Sequence, residues 1–416
     1  MFRFLFYALL FVVMSGSVRT AAQTSAGLIA HYTFDAPNAD DATSNHNDGT
    51  IFGSPKLACG VFGNALELDG AHDFVILFGS VNNAFAANDF TISIYFKPAV
   101  TAQSQGLLGK GDSCSAPRFF GVRVSTLQRY VEMKMRNGTA QTVSTATMPR
   151  TCWHHLVITR SSQQVLMYVD GELASKTPTT AALNIASNAP WLIGDHPCKG
   201  NSIVPFKGLI DDVRFYNRYL TASEVRALYA PIDKIATRDT VIYKGTSLTG
   251  KLTHTCALAF KWSTLNAGNT VDASISDPTA QRPILSPDTS RTYLVSITDD
   301  PASPNRCITT DTLRVTVVDP KEVGCGDILL PTAFTPNNDG LNDTYFISNP
   351  YAIEKLREFS IYDRWGSRVF TTTDRIAAWD GTVGGVVQNA GDYIYTLEYE
   401  CGGSTKTAHG AFTLIR

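Results

Sequence analysis

Three groups of side chains in this 416-residue chain have the types and spacing to do chemistry. The first is a run of carboxylates. A strand reading Glu-x-Asp-x-x-Glu puts an acid, a helper and a nucleophile on one face at a separation that suits a retaining glycosidase, because alternate side chains of a strand share a face. Glu67-Leu-Asp69-Gly-Ala-His72 has the first two and ends in histidine where the second glutamate should stand. The second group is His154-His155. Paired imidazoles suit a metal ion or a general base, but adjacent strand residues point to opposite faces, so packing or hydrogen bonding is the expected role. The third is oxygen-rich: Asp35, Asp41, Asn47 and Asp48 crowd one loop-rich stretch, and Asp211-Asp212 open a later strand. Such oxygens suit calcium, and they equally suit Asx turns. Asn337 to Asp343 is also oxygen-rich, but an EF-hand register on Gly340 would set Phe346 where a carboxylate is needed, so a turn is expected there. The chain contains no His-Glu-x-x-His, Gly-x-Ser-x-Gly or Cys-x-x-Cys, which leaves zinc-protease, α/β-hydrolase and zinc-thiolate chemistry without support.

The elements that must hold these groups are short strands. Phe90 to Phe96 alternates as a half-buried strand should. His155 to Thr159 and Val165 to Val169 flank polar Arg160 to Gln164, and Asp170-Gly171 turns the chain into Glu172 to Ser175. One helix is announced, by the capping box Thr221-Ala-Ser-Glu224 ahead of Val225 to Tyr229, with Pro231 as its stop. Strands also dominate the middle, at Thr240 to Tyr243, Ala259 to Trp262, Thr292 to Thr298 and Asp311 to Val318. Near the end they recur at Phe359 to Tyr362, Val369 to Thr372 and Tyr393 to Tyr399, with turns at Trp365-Gly, Asp380-Gly and Gly384-Gly. The expected class is all-β: a jelly roll, a sandwich of immunoglobulin size and a small C-terminal sandwich.

Composition is that of a packed β-protein, with 44% hydrophobic and 17% charged residues. A net charge of -2 without a Lys/Arg cluster argues against a nucleic-acid partner. Residues 1–22, with Arg3, the apolar run Phe4 to Met14 and the ending Thr20-Ala-Ala22, read as a secretory signal peptide, with the mature chain starting near Gln23. No run approaches the ~20 apolar residues of a spanning helix, so no transmembrane segment is expected in the mature chain.

Three resemblances join these readings. Leu28 to Asp35, Asp41 to Gly49, Gly60-Val-Phe-Gly-Asn-Ala-Leu-Glu-Leu-Asp-Gly70, Trp153 to Thr159, Tyr168-Val-Asp-Gly171 and Gly208-Leu-Ile-Asp-Asp-Val-Arg-Phe-Tyr-Asn-Arg218 make residues 23–231 resemble a laminin-G-like, concanavalin-A-like lectin domain. Lys261-Trp262 and Thr292-Tyr293 make 232–320 resemble immunoglobulin-like repeats of the polycystic-kidney-disease type. Pro331-Thr-Ala-Phe-Thr-Pro-Asn-Asn-Asp-Gly-Leu-Asn-Asp343, Ile361-Tyr-Asp-Arg-Trp-Gly366, Trp379-Asp-Gly-Thr382, Gly391-Asp-Tyr-Ile-Tyr395 and Gly410 to Arg416 make 325–416 resemble the gliding-motility-associated C-terminal domain, a type B sorting signal of type IX secretion.

The resemblances imply a chain exported through the outer membrane, secreted or held at the cell surface, with the secretion machinery as one partner. They imply a non-catalytic binding or adhesion protein whose lectin-like domain takes a carbohydrate or a surface partner; the alternative is a glycoside hydrolase with a divergent site in the jelly roll. In lectin-like relatives the first and last strands are neighbours, which would bring Asp35, Asp41, Asn47 and Asp211 around a structural calcium ion. Loops near Cys114 and Cys198 offer Asp112, Arg118, Phe119, Trp191, His196 and Asn201 to a glycan, but Phe119 and Trp191 stand in apolar strand contexts that more often place such residues in the core. The eight cysteines are expected as disulfides in an oxidising destination. Pairing within each region gives Cys256 with Cys307 and Cys325 with Cys401. In the first region Cys114 is expected with Cys198, both on loops ending strands, and Cys59 with Cys152 by elimination.

Overall fold

The computed structural model describes residues 25–415 except 80, 82–84, 86–88, 149–151, 180–183, 201, 266–271, 304–305, 320–327 and 338–341. The signal peptide, Asn201 and Cys325 therefore lie outside the described residues. The chain forms two compact units: one holds 25–234 with Leu252–Ala259 and Ser296–Thr310, the other Ile235–Lys251, Phe260–Val295 and the chain from Asp311 onward. No helix among the described residues is long and apolar enough to cross a membrane.

The first unit is a two-sheet jelly roll. In order of hydrogen-bonded neighbours, one sheet runs Glu172–Pro178, Gln164–Val169, His154–Arg160, Phe90–Pro98, Lys207–Tyr216, Asn64–Asp69 and Lys56–Cys59, with Leu28–Tyr32 also against Lys207–Tyr216. The second runs Ala140–Thr147, Tyr130–Asn137, Arg118–Ser125, Ser104–Lys110, Trp191–Ile193, Phe74–Leu77 and Gly49–Phe52, with Ile203–Pro205 parallel to Ser104–Lys110. The core lies between them: Phe90, Ile92, Ile94 and Phe96 of the first sheet face Phe120, Val122, Val124, Met133 and Trp191 of the second.

Phe90–Pro98 is not half-buried as its alternation suggested. Thr91, Ser93 and Tyr95 point away from the core and are buried as well. What covers that face is the helix Ala222–Leu228, whose Val225 and Leu228 pack with Val157, Leu166, Tyr168 and Tyr216, and then Tyr229, Ala230 and Ile232 against Tyr95 and Trp153. The helix starts where its capping box says. Glu224 N–H donates to Thr221 Oγ1, Thr221 N–H donates back to Glu224 Oε2 at 2.8 Å, and Arg218 clamps the same carboxylate at 2.7 Å. The Arg218 hydrogen bond, with those from Thr221, pulls the Glu224 carboxyl down to about 2.

Two disulfide expectations are corrected. Cys114 does pair with Cys198, but Cys59 bonds Cys256 and Cys152 bonds Cys307. Elimination assumed that the middle region folds apart, whereas the segments carrying Cys256 and Cys307 belong to the first unit. Asp233 N–H donates to His254 O at 3.1 Å, and Lys97 pairs with Asp299 at 2.7 Å. Cys401 is disulfide-bonded.

Two further sheets follow, one ordered Thr240–Tyr243, Ile308–Val318, Arg291–Thr298, Ala259–Thr264 and a five-stranded C-terminal sheet ordered Ala333–Phe334, Ser404–Leu414, Gly391–Cys401, Lys355–Tyr362, Arg368–Thr372. The C-terminal core is aromatic: Tyr345 stacks on Phe412, and Trp379 packs edge-on to Tyr393 while its Nε1–H donates to Thr382 O at 2.9 Å. Gly366, Gly381, Gly384 and Gly385 all have positive φ, as the turns read from sequence require. Tyr351 OH donates to Val241 O at 2.9 Å and Arg375 lies over the Tyr243 ring, which ties the two sheets together.

Candidate functional site

Among the described residues, the loops around Cys114 and Cys198 do not form an open glycan platform. Asp112 and Arg118 stay exposed, with Arg118 Nη1–H donating to Ala186 O at 2.8 Å. Trp191 is in the core, edge-on to Phe85, Phe120 and Phe215, because its strand is central to the second sheet and its side chain faces inward. His196 is buried too. Its loop crosses the outer face of that sheet over glycines, and a Cβ at Gly106 or Gly121 would collide with His196, one at Gly109 with Pro197. Cys198 N–H donates to His196 Nδ1 at 3.0 Å, and buried Phe119 meets the ring edge-on. Trp191, His196 and Phe119 are thus withdrawn from any ligand.

The oxygens expected around calcium hold turns. Asp41 accepts from His31 N–H, Thr43 N–H, Thr43 Oγ1–H and Asn47 N–H, all within 2.9 Å. Asn47 Nδ2–H donates to Ile29 O, and Asp35 Oδ1 accepts from Asn64 N–H at 3.0 Å. Asp211 Oδ2 accepts from Val61 N–H and Phe62 N–H at 2.7 and 3.0 Å. Asp35 and Asp211 grip the Gly60 to Asn64 turn, while Asp41 shapes its own loop. Among the described residues, the one group of three acidic, histidine or cysteine side chains close enough to share an ion is Cys59, His254 and Cys256.

His154 and His155 diverge, as adjacent strand residues should. His154 Nδ1 is 2.9 Å from Asp170 Oδ2, and Asp170 Oδ1 also accepts from His155 N–H. His155 lies between the rings of Tyr95 and Tyr229, its Nε2 2.8 Å from Ser93 Oγ. Burial pushes the imidazoles of His155 and His196 down to about 4, and burial with the neighbouring Asp212 charge pushes the Asp211 carboxyl up to about 7. The signs oppose. The two histidines contribute stability that is present above about 6.5 and lost as pH falls towards 4; Asp211 contributes stability that is present below about 4 and lost as pH rises towards 7. Between about pH 5 and 6 the two histidines make stability rise with pH, while Asp211 and Asp233, whose carboxyl burial also pushes up, oppose that rise. Urea titrations across that range measure the slope. Asp211→Asn should make the slope more positive by ~1.4 kcal/mol per unit, and an unchanged slope in that variant would contradict the assignment of Asp211.

An open cleft of about 490 Å³ lies at the edge of the first sheet, lined by Gly53, Ser54, Lys56, Glu67, Asp69, His72, Asp73 and Lys207. Strand register builds it: Lys56 stands opposite Glu67, and Lys207 opposite Asp69. Asp69 Oδ1 accepts from the N–H groups of Ala71, His72 and Asp73 at 2.8, 2.9 and 3.1 Å, and Asp73 accepts from Ser54 N–H. Against the upward push of burial, those N–H groups hold the Asp69 carboxyl below its usual range, so it stays ionised and accepts hydrogen bonds without giving a proton. The chain neighbours of Gly53 and Asp73 are Phe52 and Phe74, whose rings stack 5.0 Å apart, with Phe52 42% exposed. Lys56, Asp73, Lys207 and the phenylalanine pair carry no sequence signal of a site. Glu67, Asp69 and His72 are the lining residues with a sequence signal, that of an incomplete hydrolase motif.

Residues 69–226 match the family model described as the concanavalin A-like lectin/glucanases superfamily, and residues 328–414 match the CHU_C type IX secretion signal domain. The chain therefore carries a concanavalin A-like domain and a C-terminal secretion signal, and it is exported, to the surface or beyond. Similar solved structures include domain 4 of AbnA, a GH43 extracellular arabinanase from Geobacillus stearothermophilus, in complex with arabinotriose (24% identity, 49% of this chain and 98% of that chain, TM-score 0.40). Others are the Ruminococcus gnavus IT-sialidase CBM40 (20% identity, 36% and 86%, TM-score 0.32) and Trypanosoma rangeli sialidase with the inhibitor DANA (17% identity, 50% and 33%, TM-score 0.36).

Proposed function

We propose that this exported chain is a non-catalytic carbohydrate-binding or adhesion protein and that the glycan lies in the cleft between Glu67, Asp69 and Lys207. The supporting observation is the cleft itself. Carboxylates and lysines placed to bond hydroxyls line it, and exposed Phe52, next in the chain to Gly53 of its wall, offers a ring on which a sugar face can stack. Hydrolysis needs a proton donor facing a second carboxylate. Asp69 is held ionised by three N–H groups, and His72 replaces the further glutamate.

A glycan array of the full mature chain, followed by calorimetry on a ligand that scores, tests the reading. Phe52→Ala and Lys207→Ala are each expected to weaken binding by about tenfold, ~1.4 kcal/mol, with unchanged melting temperature. Calcium and chelator arms should agree, because the cleft uses none of Asp35, Asp41, Asn47 and Asp211. A chain that binds no glycan, or binds equally well in both variants, would discard this site, and sugar release from polysaccharide would favour the glycoside hydrolase alternative.

A further inference from the structure

Cys59, His254 and Cys256 meet on the surface of the first unit. His254 Nε2 is 4.0 Å from Cys59 Sγ and 3.8 Å from Cys256 Sγ, and Gly60 O accepts from His254 Nε2–H at 2.9 Å while lying 3.2 Å from Cys256 Sγ. A tetrahedral zinc ion with ordinary bond lengths to sulfur and imidazole nitrogen needs S···N edges of about 3.6 Å and an S···S edge of about 3.8 Å. The nitrogen already stands within a few tenths of an ångström of that edge from each sulfur, and the Gly60 carbonyl oxygen lies against the nitrogen and Cys256 Sγ. The covalent bond between the sulfurs is what closes the site.

The geometry points to a redox-gated metal site: oxidised, Cys59 and Cys256 staple the edge strand Lys56–Cys59 to the segment Leu252–Ala259; reduced, the same sulfurs and His254 take up one zinc-type divalent ion. Two thiolates and an imidazole select a borderline or soft ion over calcium or magnesium. The steps balance with a phosphine reductant. Two electrons from phosphorus break the S–S bond, phosphorus takes an oxygen from water as phosphine oxide, and the two protons of that water go to the sulfurs. Zinc then displaces both thiol protons, and the imidazole proton moves from Nε2 to Nδ1. Access separates this pair from Cys152 and Cys307: Cys59 and His254 are exposed and Cys256 half-buried, whereas Cys152 and Cys307 are buried; Cys114 and Cys198 are half-buried and have no histidine placed as His254 is among the described residues.

The test is thiol alkylation of the full mature chain, mapped by mass spectrometry after treatment with a phosphine, with and without Zn²⁺. Zinc is expected to slow alkylation of Cys59 and Cys256 by about tenfold or more and to leave Cys114 and Cys198 unprotected, and His254→Ala should remove most of that protection. Co²⁺ added to the reduced chain should give the sulfur-to-metal charge-transfer band of a tetrahedral site at one equivalent, and the oxidised chain should give none. Equal alkylation with and without zinc overturns the proposal, as does protection that persists in His254→Ala or spreads over all the thiols.

Discussion

Trp191→Ala is expected to destabilise the N-terminal unit by about 3–5 kcal/mol while leaving glycan affinity of the remaining folded chain unchanged. The indole fills the centre of the core, with centroids 5.1 Å from Phe85, 5.1 Å from Phe120 and 5.3 Å from Phe215. Its strand is held on both sides, by Phe74–Leu77 and by Ser104–Lys110, so neighbouring backbone cannot collapse far into the space left behind. Lys110 Nζ, which donates to Ala189 O at 2.6 Å, also lies 5.9 Å from the indole centroid and loses that contact. Urea unfolding of the mature chain followed at the N-terminal unit gives the loss directly. A variant with wild-type stability and abolished glycan binding would move Trp191 from the core to the ligand.

Deleting 328–416 is expected to reduce surface-attached and released protein to background while the Cys59–Cys256, Cys114–Cys198 and Cys152–Cys307 bonds still form in the retained chain. The family match for secretion is confined to 328–414, and the three disulfides lie within the first unit. The deletion also removes Tyr351 and Arg375 from Tyr243 and Val241, so the middle sheet loses packing that belongs to its own unit. Export failure could then be blamed on that sheet. Phe412→Ala separates the causes, because Phe412 stacks on Tyr345 inside the C-terminal core and touches none of those contacts. Cell fractionation with non-reducing peptide mapping reads both variants. Truncated chain outside the cell at the normal level would overturn the role of the segment.

Local instructions were legible in the chain. Thr221 and Glu224 cap their helix because both partners of the capping box lie within one turn. Asp170-Gly171 turns the hairpin because its positive φ angles depend on those two residues alone. The C-terminal signal could be recognised because its motifs are short and ordered along one segment. What the tertiary structure decided depends on partners far apart in sequence. The alternation of Phe90–Pro98 shows which face is apolar, yet only docking of the helix and of Tyr229 to Ile232 tells that the polar face is buried too. Cys59 and Cys152 find partners 197 and 155 residues away because two segments of the middle region pack with the first unit, and no spacing rule reports that. The apolar context of Trp191 suggests core, but only sheet order makes it the centre, and His196 looks like a ligand group until a row of glycines makes room for it. The cleft exists only where register sets Lys56 against Glu67 and Lys207 against Asp69, since a strand carries its own alternation but not the identity of the residue across from it.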